Sequence, residues 1–274
     1  MTRLTAVTLA LLGILLHSIG IMLQKKGANG LNFGQLLKNL RKLKLKITSD
    51  RVIWVVGLVI AYCISILPTA IASEDLSSQV MSAISGIGIV FIIVLSRFFL
   101  KEDIHKSDII YGVIIIVSIF VLCISQDRQS GSYVNMKAFY AMMAAPFILF
   151  VPAVFRGLNI KTKALLYSSL SGLTGGFAYV VLNIAVKNGN ASFAGVFATS
   201  YIYEYIIIGF VSGLFLQVAY KFGDLINIAP VQMSLQVIFP LVCSYVIFHK
   251  SISFVQDISI IIIAIACWLI LKRH

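Results

Sequence analysis

Long apolar runs separated by short polar connections repeat along the whole chain. A helix that crosses the ~30 Å hydrocarbon core of a bilayer needs roughly 20 apolar residues, and nine runs have about this length. They predict helices over Leu4–Leu23, Val52–Ala72, Ser77–Ser96, Ile109–Ile124, Ala138–Phe155, Ala164–Val186, Ser192–Tyr220, Leu225–Phe248 and Phe254–Leu271. Strand-sized segments of alternating polarity are absent from the sequence. The pattern predicts an all-α polytopic membrane protein with about nine transmembrane helices.

Composition leads to the same class. The chain has 274 residues, of which 59% are hydrophobic and 12% charged, and its mean hydropathy is +0.99. Soluble globular domains do not have this balance. The net charge of +12 could suggest nucleic acid, but the basic residues lie between the apolar runs. They indicate orientation against anionic lipid, so the bilayer is the expected partner and nucleic acid is not.

The distribution of the basic residues predicts the topology. If the N-terminus is outside, 17 of the 22 lysines and arginines fall in inner segments and five in outer segments. Inner loops are enriched in Lys and Arg, so this favours an N-out, C-in arrangement with an odd number of helices. A multi-pass protein of the cell membrane is expected.

Two further signals concern the first helix and the cysteines. The first apolar run follows Arg3, as in a signal peptide, but Lys25 and Lys26 come next without an A-x-A cleavage site, so an uncleaved helix is predicted. The four cysteines lie in apolar runs without a CxxC or Cys/His pattern. They are interpreted as small buried side chains rather than disulfide partners or zinc ligands.

The long inner loop carries an amphipathic pattern over residues 32–47, "NFGQLLKNLRKLKLKI". Phe33, Leu36 and Leu40 share one helical face, whereas most of the basic residues lie elsewhere. An amphipathic helix on the inner leaflet is predicted, with a solvated charged loop as the alternative.

An internal repeat relates the two ends of the chain. The segment "GILLHSIGIMLQKKGANG" resembles "GGFAYVVLNIAVKNGN", and Asp75-Leu76 corresponds to Asp224-Leu225. Helix 1 thus matches helix 6 and helix 3 matches helix 8, an odd offset that gives the copies opposite orientations. The predicted parts are a first repeat over 1–125, a connecting loop and linker helix over 126–162, and a second repeat over 163–274. Inverted repeats are typical of secondary transporters with the substrate site between them; shared apolar composition is the alternative.

The clearest candidate for a transport residue is Glu204 in "YIYEYIIIGF". A charge inside the membrane is costly and usually faces a cavity. Helical spacing places Tyr201 and Tyr205 on the same face, and counting from Ser192 places Glu204 ~18 Å below the outer edge. A cation- or proton-binding carboxylate is one interpretation. The other is an outer aromatic belt in which Glu204 reaches water.

Other polar residues are candidates for cation or substrate binding. Glu74 and Asp75 end helix 2 and could attract cations, and His17 lies within helix 1, well below Glu204. Each could equally be an ordinary turn residue or a packed histidine. The small and polar residues of helices 3 and 8 could line a hydrophilic path; among them are Gln79, Ser82, Ser85, Gln232 and Gln236.

Proline and glycine patterns predict hinges and packing faces. Pro68 and Pro230 lie near the corresponding acidic turns, and with Asp224 they are hinge or gate candidates. Simple bending of the helices and an acidic helix cap are the alternatives. Close helix packing is expected at the small-residue pairs Gly172/Gly176, Gly209/Gly213 and Ser82/Gly86.

Several motifs resemble a known transporter superfamily. "ISGIGIVFIIVLSRFFLKEDI", with Lys101-Glu102, is similar to the end of the EamA-type repeat of the drug/metabolite transporters. "HSIG", "LQKKGANG", "SEDLSSQVMSAISG" and "AYKFGDLINIAPVQ" resemble the NIPA-type magnesium transporters. The second repeat departs from the pattern, since His249-Lys250 stands where the first has Lys101-Glu102. The resemblance implies a fold with a central cavity between two halves.

The expected function is secondary transport by alternating access. The cargo implied by the resemblance is Mg²⁺ or another cation, and hydrated Mg²⁺ suits an oxygen-lined, wet site. Export of a small organic metabolite, drug or lipid is the alternative, and an ion channel is a third reading. No hydrolase, kinase or P-loop motif is apparent, so neither enzymatic activity nor a cofactor is expected, and no metal ligands are assigned. A homodimer is a further expectation.

Overall fold

α-Helices make up most of the computed structural model, which describes residues 2–30, 48–75, 84, 86–124, 135–148, 158–188, 193–248 and 253–273. Eleven α-helices are described: α1 Arg3–Gly30, α2 Ser49–Val59, α3 Ile66–Asp75, α4 Gly88–Leu95, α5 Lys106–Ile124, α6 Met136–Ile148, α7 Ile160–Asn188, α8 Phe193–Ala198, α9 Ser200–Phe222, α10 Leu225–Phe248 and α11 Phe254–Arg273. Two π-helical turns, Ile60–Ile64 and Ser96–Leu100, follow α2 and α4. The described ranges contain no β-strand.

Five helical segments are long and apolar enough to cross a membrane: Leu4–Ala28, Ser49–Thr69, Ile160–Leu182, Ser200–Phe222 and Leu225–Ile247. Apolar side chains also cover outward-facing helix surfaces, as Ile258, Ile261 and Ile265 do on α11. Such surfaces are stable against lipid rather than water. The described ranges are therefore those of a helical integral membrane protein. The amphipathic segment predicted over residues 32–47 lies outside the described residues.

Two predicted helices are interrupted. The segment predicted over Val52–Ala72 passes through the π turn Ile60–Ile64 before α3 begins. Pro68 has no N–H, and its ring crowds the carbonyl four residues earlier, that of Ile64, so a regular helix cannot continue there. The segment predicted over Ser192–Tyr220 breaks at Thr199, whose backbone is extended (φ −83°, ψ 145°). The prediction of one continuous helix is wrong at Thr199, whereas the α2–α3 segment is one span that contains a π turn.

Glycines let α1 pack directly on the helix formed by α2, the first π turn and α3. A Cβ at Gly20 would lie 2.5 Å from the Ala61 nitrogen, so only glycine fits. The contacts run in opposite order along the two segments, which are antiparallel: Gly13 meets Thr69, Gly20 meets Ala61 and Gly27 meets Trp54.

In the second half of the chain, α7 packs on α9 and α10. Gly172 and Gly176 of α7 approach Gln232 and Pro240 of α10 in the same order, so these two helices are parallel. This confirms the predicted Gly172/Gly176 packing face. The Gly209/Gly213 prediction is wrong for the described part of the chain, because no described heavy atom outside α9 lies within 4 Å of a Cβ at either position. Ser82 lies outside the described residues.

The directions of α1 and α7 are opposite. The last turns of α1 and α9 lie together, where Gln24 contacts Gln217. Helix α7 runs antiparallel to α9, because Tyr167 stacks on Phe222 near one end while Ser171 contacts Ser212 farther along. Gly88 lies beside Ser18 of α1 and Met233 of α10, whereas Lys25 of α1 bonds Gly223 just before α10. Helix α1 therefore runs antiparallel to α10, and since α7 is parallel to α10, α7 points against α1. A cluster of apolar side chains from α5, α10 and α11, including Ile119, Leu241 and Ile263, joins the two halves elsewhere.

Candidate functional site

The π turn in the α2–α3 segment fixes the position of His17. In the turn, the Ser65 N–H bonds the Ile60 carbonyl at 3.0 Å. The Ala61 carbonyl is thereby left for other donors, namely His17 Nδ1–H at 3.0 Å and the Ser65 hydroxyl at 2.5 Å. A carbonyl can only accept, so Nδ1 carries the hydrogen, and in the neutral imidazole Nε2 is left as an acceptor. A π turn at a functional position is a recurring arrangement in helices.

An open space lies between Tyr62 of the first half and Tyr179 of the second. Tyr62 packs edge-on to His17, with ring centroids 6.0 Å apart, and its hydroxyl is close enough to Tyr179 to interact electrostatically. Tyr62 is 43% exposed and Tyr179 is 52% exposed. In α7, the residues on both sides of Tyr179, Gly175–Ala178 and Val180, are buried. The exposed surface of Tyr179 therefore faces a gap inside the helix bundle, which we name the central opening.

Polar groups of α9 and α10 extend the central opening on the second half. The Tyr179 side chain hydrogen-bonds with Gln236, and the Gln232 Nε2 donates to Gln236 Oε1 at 2.6 Å. Tyr205 also lies within electrostatic range of Tyr179. Four of the residues predicted from the sequence thus meet here: His17, Tyr205, Gln232 and Gln236. Tyr62 and Tyr179 were missed because neither is charged and both look like ordinary residues of apolar helices.

Glu204 lies closer to the start of its helix than predicted. Since α9 begins at Ser200, the four intervening steps place Glu204 only ~6 Å along the helix, instead of ~18 Å. Its side chain is half-buried, and its buried Oε2 has no hydrogen-bond partner among the described residues. Tyr201 and Tyr205 pack against the core of α6, α7 and α10, whereas Tyr203 is exposed on the opposite face. Glu204 therefore lies between the packed face and the exposed face of α9.

The remaining predicted residues divide into two groups. The side chains of Glu74 and Asp75, and the whole of Gln79, Ser82 and Ser85, lie outside the described part of the chain. Within it, Pro68 adjoins the π turn, and the buried Pro230 offers its carbonyl to the Cys267 thiol at 3.7 Å. The exposed Asp224 precedes α10, and its backbone carbonyl accepts the Asn227 and Ile228 N–H groups.

A second polar cluster joins the two halves at the C-terminal end of α1. The buried Lys25 Nζ donates to the carbonyls of Tyr220 and Gly223, the latter at 2.6 Å. The Glu102 carboxylate accepts the N–H groups of Leu225 at 2.8 Å and Ile226 at 3.0 Å. The motifs "LQKKGANG", Lys101-Glu102 and "AYKFGDLINIAPVQ" contain these residues, but the sequence did not indicate that they meet.

Burial raises the pKa of Glu102. The two backbone N–H groups oppose this rise, Asp224 adds to it, and Lys25 opposes it. Removal from water is thus the dominant effect, because it penalises the ionised carboxylate. Glu102 emerges from the second π turn through Lys101, whose left-handed backbone (φ 57°) ends the helix and turns the chain toward α10.

An apolar cavity of about 210 Å³ lies between α6, α7 and α9. Its lining includes Pro146, Phe177 and Ile208, with Thr174 as the one polar residue. The Thr174 hydroxyl is bonded to the Leu170 carbonyl at 2.6 Å. The cavity accordingly suits an apolar group, and it shares no lining residue with the polar central opening.

The described residues hold no group of three or more His, Cys, Asp or Glu side chains able to bind a metal ion directly. The donors at the central opening are neutral hydroxyl, amide and imidazole groups. No protein-family model, curated protein or solved structure matches the chain.

Proposed function

We propose that this protein is a secondary transporter that works by alternating access, with its substrate bound in the central opening. The observation that carries the proposal is the pair Tyr62 and Tyr179, one from each half, both exposed toward the same gap. A site between two halves can be offered to one side of the membrane and then the other by rocking of the halves. The cell membrane is the proposed location.

The arrangement of the helices supports two inverted repeats. In the first half, α1 packs antiparallel to the α2–α3 segment, and in the second half, α7 packs antiparallel to α9. The two glycine-containing helices run in opposite directions, as expected from the repeat that matches helix 1 with helix 6. We propose the nine-helix, N-out and C-in topology, in the manner of the drug/metabolite transporters, on this basis.

The proposed cargo is hydrated Mg²⁺ or another small cation. Mg²⁺ usually keeps several of its waters, so neutral oxygen donors such as Tyr179, Tyr205 and Gln236 would contact those waters rather than the ion. Glu204, next to Tyr205 in α9, would raise the local cation concentration. A small organic solute is the second candidate. It is favoured by the two exposed tyrosine rings, which can bind an organic cation through their faces.

Uptake into proteoliposomes tests the proposal. The panel contains Mg²⁺ and, separately, small organic cations and neutral metabolites. Tyr179→Phe removes one hydroxyl from the central opening, and Gln236→Leu removes the amide that bonds it. Each is expected to lower kcat/KM about tenfold, which corresponds to the loss of one or two buried hydrogen bonds to substrate. Glu204→Gln is expected to raise the KM for cations only.

The matched control is Tyr203→Phe, which removes the same hydroxyl from an exposed position on α9. It should transport like the unsubstituted protein. Saturable uptake that is lost in Tyr179→Phe but kept in Tyr203→Phe supports the proposal. Failure to move any panel member, or equal rates for the two phenylalanine variants, would contradict it. Non-saturating conductance would point to a channel instead.

A further inference from the structure

Two charged side chains of the first half each hold the end of a helix of the second half. Lys25 of α1 bonds two carbonyls at the C-terminal end of α9, and Glu102 bonds two N–H groups at the N-terminal end of α10. The acceptors and donors lie within Tyr220–Ile226, the turn that connects α9 to α10. Four hydrogen bonds thus clamp this one turn from the opposite half.

The signs of the charges match the helix ends that they hold. The last carbonyls of a helix carry partial negative charge and the first N–H groups carry partial positive charge, and both lack partners within the helix. A lysine at the first end and a glutamate at the second satisfy them with charge-assisted hydrogen bonds, which are roughly twice as strong as neutral ones. The clamp is therefore complementary in both charge and hydrogen bonding.

The same end of the bundle has a second connection between the halves. Trp54 Nε1 donates to Gln217 Oε1 at 2.7 Å, and Gln217 Nε2 donates to Gln24 Oε1 at 2.5 Å. Gln24 and Gln217 are buried. Lys25 lies eight residues after His17, or ~12 Å along α1 from the central opening. This end of the path is therefore closed below the opening.

We infer that Lys25 and Glu102 form a latch that closes the inner end of the transport path, so that inward opening requires both helix ends to be released. The inference rests on the proposed transport function for its biological meaning. The latch itself is a contact between the halves and is measurable without any substrate.

Cysteine accessibility tests the latch. Ser212 is buried, bonds the Ser171 carbonyl at 2.8 Å and lies beside Gly175 and Gln236 at the opening. Ser212→Cys, in a chain whose native cysteines are replaced, serves as the reporter for a membrane-impermeant thiol reagent. Without substrate, modification should be slower from the inner side than from the outer side. This comparison uses an intact latch and needs no further substitution.

Lys25→Met and Glu102→Ala each release one helix end. Each is expected to raise the inner-side modification rate about tenfold or more, because charged hydrogen bonds in a buried site are lost. Lys26→Met and Asp103→Ala are the matched controls, since both residues are exposed neighbours of the latch. They should leave the rate unchanged. The two latch variants act on different helix ends. If only one of them is folded and monodisperse, that variant alone decides the result.

Two results would overturn the latch. One is faster labelling of Ser212→Cys from the inner side than from the outer side when Lys25 and Glu102 are both present. The other is an unchanged inner-side labelling rate in the folded latch variants. The result is separable from the transport assay. Labelling that responds to Lys25 and Glu102 without any uptake leaves the latch intact and removes the proposed function. Uptake together with a labelling rate that does not change in the Lys25 and Glu102 variants leaves the proposed function intact and removes the latch.

Discussion

At the scale of single residues, the backbone decides what several polar side chains can do. His17 has a defined tautomer because the π turn leaves the Ala61 carbonyl for its Nδ1–H. Glu102 has defined partners because Lys101 adopts the left-handed conformation that turns the chain toward α10. Neither role follows from residue type alone.

The latch should respond to pH through Glu102. Burial raises the pKa of this carboxyl above its usual value, and the groups that face it are Lys25 and Asp224 as well as the N–H groups of α10. The closed state therefore binds the proton more tightly than an opened, hydrated state does. By linkage, acidification favours the closed latch, and raising the pH through the raised pKa weakens it.

The measurement is inner-side labelling of Ser212→Cys as a function of pH. Glu102→Gln, which does not titrate, corrects for the pH dependence of the thiol reaction itself. The rate relative to that variant should increase as the pH rises through the raised pKa of Glu102. A ratio that is flat or that falls with rising pH would show that Glu102 does not titrate with latch opening.

At the scale of helices, close packing depends on where glycine is placed. Gly20 has backbone atoms of the neighbouring segment within 3 Å of any added Cβ, whereas Gly213 has no described heavy atom outside its own helix within 4 Å. The two glycines look alike in the sequence, since each lies in an apolar run. Only the neighbouring helix distinguishes them.

Gly20→Ala should lower the free energy of unfolding by about 1–3 kcal/mol, because the α1 contact must open to admit the methyl group. Gly213→Ala should raise it by ~0.4–1 kcal/mol, because alanine reduces the entropy of the unfolded chain without a clash. Thermal unfolding in detergent measures both. Equal shifts for the two variants would contradict the close approach at Gly20.

At the scale of the whole molecule, the halves are joined at some places and separated at others. The apolar cluster of α5, α10 and α11 and the Lys25–Glu102 latch join them, whereas Tyr62 and Tyr179 face a gap. A transporter needs this combination, because a permanent contact provides a pivot and a breakable one provides a gate.

The proposed topology makes a prediction at this scale. In a cysteine-free background, Lys137→Cys at the start of α6 should react with an impermeant reagent added outside. Lys26→Cys, near the C-terminal end of α1, should react only from inside and is the matched control. Labelling of both positions from the same side would rule out the N-out, nine-helix arrangement.

The sequence by itself determined the class of protein and most of its helices. Apolar runs of about 20 residues must form hydrogen-bonded helices in lipid, because the hydrocarbon offers the backbone no other partners. The break at Thr199 was not predicted, because apolar periodicity continues through it. At Pro68 the sequence predicted a hinge or bend, but it did not specify the π turn Ile60–Ile64, which carbonyl is released or which side chain uses it.

Only the tertiary structure decided which polar residues meet. Glu204 stood out in the sequence because a charge in an apolar run is costly, yet Tyr62 and Tyr179 define the gap between the halves. Lys25 and Glu102 are 77 residues apart in the chain and are brought to one turn of the second half by helix packing. The hydropathy of a run indicates that it forms a helix in lipid. The contacts between helices depend instead on the shapes of the side chains and on the unpaired N–H and C=O groups at the helix ends, and the order of apolar and polar residues does not specify these.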